Sequence, residues 1–247
     1  MKKNFIKHFC INIKKKFQKS IFELHEPFIQ RNDIEFLKKA ISQKEISTHG
    51  KYAEKFEKKI SSFTKIKYVT VTNSGTSAIH VALIALGLKR FDEVLVPNLN
   101  YIASANCVLY SGAIPHFIDT KVDTPFIDIE KLEQYLIKNT KKINGICVNI
   151  KTKRKIHSLI TTHIFGHIDE IYRLKTLAKK FNLKLVEDAS EALGSFFNNQ
   201  HAGSFGDIGI ISFNGNKIIT TGGGGAAVTN SSKLSNKIKE LTTICRK

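Results

Sequence analysis

Residues Asp207–Asn230 read DIGIISFNGNKIITTGGGGAAVTN. The segment starts with a short β-branched run, Ile208–Ser212, and closes on a second apolar run from Gly225 to Thr229. Both read as buried strands, because four to eight apolar residues bounded by turn formers fit a sheet better than a helix. Between them stand Lys217, among polar residues and two isoleucines, and the glycines 222–225. Glycine loses the most backbone freedom on folding, so a folded chain keeps such a run where backbone must come close to something or turn where a Cβ would clash.

Outward from this segment, helical and strand patterns alternate. NDIEFLKKAIS and GKYAEKFEKKISSF have helical spacing, and KYVTVTN is a strand followed by the helix GTSAIHVALIALGL, closed by Gly87. DEVLVP is a strand ended by Pro97, YIASANCVLYSG a helix ended by Gly112, and AIPHFID a further strand. DIEKLEQYLI is a helix with Asp128 as N-cap. INGICVNI and KIHSLITTH flank the polar KTKR and are expected to form a hairpin. The helix DEIYRLKTLAKKFN, the strand LKLVED and the Ser-capped helix SSKLSNKIKELTT complete the pattern. Strand–helix alternation with buried-type strands predicts an α/β domain on a mostly parallel sheet.

The chain has 247 residues, 42% of them hydrophobic, enough for one large core. No apolar run approaches the roughly 18–20 residues that span a bilayer, so a soluble, cytoplasmic protein is expected. The formal charge is +18, but the lysines are spread along the chain and no nucleic-acid-binding motif is visible. Cys10, Cys107, Cys147 and Cys245 lie far apart, which argues against a zinc site or a disulfide scaffold. Residues 1–21 form a separate basic extension with seven lysines and no acid. Phe5, Phe9, Ile13, Phe17 and Ile21 recur every fourth residue there, a stripe that fits a membrane-surface or partner-binding helix, or else a surface helix packed on the body or a poorly ordered extension. The latter pair is preferred, and membrane contact is not expected.

Three features stand at carboxyl ends of strands, where open α/β sheets bind ligands. In TNSGTSAIHVAL a strand gives way to a helix at Ser74-Gly75-Thr76. The free N–H groups of a helix start make an anion site, although the same triplet is also an ordinary helix start. LKLVED ends on Glu187 and Asp188, and an acid there either caps the next turn or faces a ligand cation. Ser212 and Lys217 form the third feature; a lysine meant to react with a carbonyl needs a neutral amine part of the time. A phosphate cradle, an acid and a buried lysine are the groups pyridoxal 5'-phosphate (PLP) requires, for its phosphate, its ring nitrogen and its aldehyde. His163 and His167 in HIFGH are four apart, but Gly166 and the turn-like GHIDE argue against a shared helical face, so no metal site is expected.

The chain resembles the DegT/DnrJ/StrS family of PLP-dependent sugar aminotransferases. The stretches LHEPFI, STHGKYAEKFE, VTNSGTSAIHVAL, VPNLNYIASANCVLYSGAIPHFID, THIFGHIDEIYRLKTLAKKF, VEDASEALGS, HAGSFGDIGIISFNGNKIITTGGGGAAVTN and KELTT carry the likeness, in family order from Leu24 to Thr243. It looks closest to the branch acting on UDP-linked 4-keto amino sugars, on routes such as that to legionaminic acid. The resemblance implies the large domain of the type I PLP fold over residues 22–247. Lys217 matches the lysine that joins the cofactor as a Schiff base, and Asp188 the acid at its ring nitrogen. Gly75, Thr76 and Ser212 match the phosphate cradle, and Tyr101 the aromatic residue stacked on the ring. Glu191 lies where many members have His or Gln near the ring oxygen; an ionised Glu cannot donate a hydrogen bond, so it either keeps a place beside the cofactor or faces the sugar.

The implied reaction moves an amino group from a donor, glutamate by resemblance, to the keto group of a nucleotide sugar. The glycines are expected to let the strand after Lys217 lie tightly beside the cofactor pocket, with Gly223 as the position to test. Family members run on for a small C-terminal domain that contributes to a site shared in a homodimer. Its absence predicts exposed apolar surface, a second chain supplying the remainder, or a catalytically silent remnant.

Overall fold

The computed structural model describes residues 2–18, 21, 25–47, 50–168 and 170–243. The helices are α1 (Lys2–Phe17), α2 (Arg31–Ser42), α3 (Lys51–Thr64), α4 (Gly75–Ala85), α5 (Ala103–Tyr110), α6 (Ile129–Asn139), α7 (Ile171–Lys180) and α8 (Ser232–Thr242). The strands are β1 (Tyr68–Thr72), β2 (Glu93–Pro97), β3 (Ile114–Ile118), β4 (Thr140–Ile143), β5 (Ile146–Asn149), β6 (Ile156–Thr162), β7 (Lys184–Asp188), β8 (Phe196–Phe197), β9 (Gln200–His201), β10 (Ile208–Ser212) and β11 (Gly225–Thr229). Seven of these strands form one sheet in the order β1-β11-β10-β7-β6-β2-β3. The pairs from β10 through β7, β6 and β2 to β3 are parallel, and only β11 runs against its neighbours β1 and β10. The expected α/β fold with a mostly parallel sheet is therefore present.

The strands alternate between two apolar layers, as a period of two requires. Val94, Val96, Ile160, Val186, Ile208 and Ile210 pack with Ala78, Ile79, Ala82 and Leu83 of α4, Cys107 and Val108 of α5, and Ile238 of α8. Leu95, Leu159 and Leu185 face Leu132 and Leu136 of α6 and Ile171, Leu174 and Leu177 of α7. Burial on both faces explains why these strands lack polar alternation. The caps are as read: Asp128 Oδ1 accepts from the Lys131 N–H at 3.0 Å, and Ser231 Oγ from the Leu234 N–H at 3.3 Å.

The hairpin falls elsewhere than expected. β5 pairs with β4 in antiparallel register, not with β6, and turns through Asn144 (φ 48°) and Gly145 (φ 78°). Asn-Gly is the strong two-residue hairpin signal, and β6, buried along its length, is claimed by β2 and β7. Only the bridge Val148–Lys155 joins the two segments that were expected to pair.

The apolar stripe of α1 is not laid on the body: Phe5 is 72% exposed, and Phe9 and Phe17 are also exposed. Steps of four residues advance about 40° around a helix, so these side chains spiral across it rather than lining one contact face. α2 buries no residue and exposes Ile34, Phe36, Leu37 and Ile41. Among the described residues no helix is long and apolar enough to cross a membrane. Cys245 lies outside the described residues.

His157, buried at the start of β6, gives the fold a pH response. Burial, with Lys155 nearby, pushes its pKa from the usual 6.5 down to about 4. The unfolded chain therefore binds the proton first as pH falls. The stability held above pH 6.5 is expected to drop by roughly 3 kcal/mol on the way to pH 4. Urea midpoints across that window should show the slope, and His157→Leu should flatten it.

Candidate active site

The carboxyl ends of β1, β6, β7 and β10 meet at one edge of the sheet, because β7 is in register with both neighbours there: Thr162 and Ile210 each pair with Asp188. A cavity of about 540 Å³ opens at this edge. Gly75, Thr76, Tyr101, Asp188, Glu191, Ser212 and Lys217, all singled out in the sequence, line it.

The cradle is built by α4. Ser74 caps the helix, its Oγ accepting from the Ser77 N–H at 3.0 Å. The Gly75 and Thr76 N–H groups belong to the first turn, which has no intrahelical acceptor for them. A Cβ on Gly75 would lie 3.0 Å from Ser212 Cβ and 3.2 Å from its Oγ. Glycine thus lets the positive helix end sit directly beside the Ser212 hydroxyl.

Asp188 is buried at the end of β7. Its Oδ1 accepts from the Ser190 N–H at 3.2 Å, and its Oδ2 from the Ser104 hydroxyl at 3.3 Å. One oxygen closes a local turn, and the residue also lines the cavity. Ser104 and Ser190 carried no signal, because serine at the start of a helix or loop is commonplace.

Lys217 stands on the loop that joins the antiparallel neighbours β10 and β11. That loop is tied by the Phe213 N–H to the Gly224 carbonyl and by the Thr221 N–H to the Phe213 carbonyl. The two isoleucines beside it, Ile218 and Ile219, are exposed. The Lys217 side chain is 15% exposed, and its Nζ donates to Glu191 Oε1 at 2.9 Å. Glu191 Oε2 accepts from the Phe165 N–H at 3.0 Å. Burial raises the Glu191 carboxyl, but the Lys217 hydrogen bond, the Phe165 N–H and the Lys217 charge outweigh it and hold the group below the usual range. Tyr101 stands at the mouth, 72% exposed.

His163 and His167 do not converge. His163 Nε2 lies 2.9 Å from Glu187 Oε2, both side chains fully buried, while the His167 ring meets Phe126 edge-on.

The glycines divide by task. A Cβ on Gly225 would meet the Ser74 carbonyl and the Gly75 nitrogen, the latter at 2.5 Å, and Gly224 takes φ 145°. At Gly223, the position first singled out, a Cβ would come no closer than 3.8 Å to the Asn73 carbonyl. The close approach belongs to Gly225, in β11, since only there does strand backbone press on the start of α4.

The family model of the DegT/DnrJ/EryC1/StrS aminotransferases matches residues 27–247. The chain belongs to this family. It is 37% identical over 214 residues to a GDP-perosamine synthase from Escherichia coli O157:H7, covering 87% of this chain and 54% of that protein. It is 40% identical over 213 residues to a UDP-4-amino-4,6-dideoxy-N-acetyl-beta-L-altrosamine transaminase from Campylobacter jejuni, covering 86% and 52%. Among solved structures it resembles Helicobacter pylori PseC, an aminotransferase involved in the biosynthesis of pseudoaminic acid, with a TM-score of 0.72 and 32% identity over 89% of this chain and 55% of that one. The chain spans about half the length of the curated relatives it matches. The cofactor of the family is PLP. The residues here fit it: a helix start that a Cβ at Gly75 would fill, a buried carboxylate and an amine line one cavity.

Proposed function

We propose that the chain takes part in PLP-dependent transfer of an amino group from an amino acid, glutamate by family analogy, to a nucleotide-linked 4-keto sugar. Its place would be the cytoplasmic synthesis of bacterial surface-polysaccharide or nonulosonic-acid sugars, in a homodimer. The observation that carries this reading is the meeting of the Ser74–Thr76 turn, Ser212, Asp188 and Lys217 around one cavity.

PLP supplies an aldehyde and an electron-withdrawing ring, on which the amino group is carried from donor to sugar. The Gly75 and Thr76 N–H groups and the Ser212 hydroxyl would hold its phosphate. The Asp188 carboxylate, held in orientation by the Ser104 and Ser190 donors, would keep a proton on the ring nitrogen. The Lys217 amine would condense with the aldehyde, with loss of water, and when free would act as the base and acid at the donor's α-carbon. Tyr101, at the mouth, would offer an aromatic face to the cofactor. Adding glutamate to the PLP-loaded chain should shift the visible absorbance and release the 2-oxo acid. A loaded chain that gives neither with any amino acid would contradict the reading.

Glu191 must let go of Lys217 first. Opening a half-exposed ion pair costs about 1 kcal/mol, so Glu191→Gln should speed PLP uptake at pH 7 about fivefold. Stopped-flow absorbance measures this, and an unchanged rate would mean that the pair does not hold the amine back.

A second reading has the bare face of α2 behind it. Ile34, Phe36, Leu37 and Ile41 are exposed on one short helix. A PLP-binding half that needs further sequence, or a separate chain, to complete the sugar side would use such a face. That half would bind PLP and react with glutamate while leaving the sugar untouched.

A further inference from the structure

β6 ends in two buried polar atoms that have no partner among the described residues, Thr162 Oγ1 and His163 Nδ1. Both residues line the cofactor cavity. Buried polar atoms are nearly always paired, so two unpaired neighbours at a cavity wall point to something that completes them.

The far side of His163 is fixed. Its ring, 1% exposed, meets Glu187 Oε2 at 2.9 Å through Nε2. Glu187 also accepts from the Gly203 N–H at 2.9 Å and the Gly206 N–H at 2.5 Å. An ionised carboxylate only accepts, so the Nε2 facing it carries a hydrogen, and in the tautomer protonated there alone the Nδ1 lone pair is left for the other side. The His163 N–H donates to the Asp188 carbonyl at 3.0 Å, which locks this wall to the strand bearing the acid. Glycine at 203 and 206 brings backbone N–H groups to a carboxylate on β7 at a depth where water does not reach.

We propose that His163 is a positioning residue of the cofactor cavity, held by Glu187 as the Nε2–H tautomer so that Nδ1 accepts a hydrogen bond from a donor present when PLP is bound. The proposal rests on the PLP reading. Thr162 stands beside it as the hydroxyl that completes the same polar wall. The donor is a hydrogen of the ligand itself or of a water that the ligand holds there.

The test uses the full chain labelled with ¹⁵N-histidine. Without PLP, His163 should give the resonances of a neutral Nε2–H imidazole. With PLP, its Nδ1 resonance should move in the direction of hydrogen-bond acceptance. His163→Leu should retain PLP about tenfold less tightly. His163→Gln, which keeps both a donor for Glu187 and an acceptor for the cavity, should recover most of that loss. Thermal midpoints of both cofactor-free variants separate this from unfolding, since a purely structural role would lower the midpoint without a difference in PLP retention between Leu and Gln. A parent chain that gains no visible absorbance with PLP removes the cofactor reading and this inference with it. A parent that gains the absorbance while Nδ1 stays unmoved, or proves to carry the hydrogen, overturns this inference alone.

Discussion

Lys217→Ala is expected to abolish the visible absorbance that the chain gains with PLP, and to lower any amino transfer by about 10³-fold or more. In the proposed function the amine supplies both the covalent link to the aldehyde and the proton carrier, and alanine would supply neither. The fold should hardly notice. Lys217 is bound through its Nζ to Glu191, whose side chain is 38% exposed, so losing this pair costs the cofactor-free chain under about 1 kcal/mol. Absorbance spectra beside a thermal melt decide the matter. A variant that melts like the parent and still gains the same absorbance would show that another lysine carries the aldehyde. Absorbance in neither protein, from a folded sample, would mean that this chain alone holds no working cofactor site.

Gly225→Ala should be the most damaging of the single methyl additions in the loop and strand after Lys217. The new Cβ would press on the Ser74 carbonyl and the Gly75 nitrogen, backbone atoms with no rotamer by which to move aside. Overpacking against backbone on this scale costs about 3 kcal/mol, and relief requires α4 to withdraw from the end of β11. The same withdrawal carries the Gly75 and Thr76 N–H groups away from Ser212, so PLP retention should fall together with the thermal midpoint. Gly223→Ala is the control. Its Cβ has 3.8 Å of room to the Asn73 carbonyl, and both measurements should stay close to the parent. Equal effects of the two substitutions would place the need for glycine in loop flexibility rather than in the contact between β11 and α4.

The second prediction depends on distances that no reading of the glycine run supplies. In the sequence, glycines 222–225 are four equivalent letters, and Gly223 looks as good a test as any. The fold gives them different tasks, because the chain reaches the start of α4 only at Gly225, where β11 slots between β1 and β10. Glu191 is a similar case. The residue type says that it cannot donate, but its partner, Lys217, lies 26 positions away and is brought within 2.9 Å by the loop over the end of β10.

What the sequence by itself determined is local in origin. Short buried strands, helix periodicity, the Asp128 and Ser231 caps and the collinear motifs led to the α/β class and to seven of the residues that line the cavity. Periodicity and capping act within a few positions, and the motifs are read from short runs of adjacent residues. The tertiary structure decided the rest. It paired β4 with β5 across Asn144-Gly145, left the stripe of α1 exposed, assigned close approach to Gly225, and turned His163 from half of a histidine pair into the buried partner of Glu187. The close approach at Gly225 and the pairing of His163 with Glu187 depend on which strands become neighbours, a choice made by the summed burial of both sheet faces rather than by any one segment, whereas the Asn144-Gly145 turn is a local signal present in the sequence.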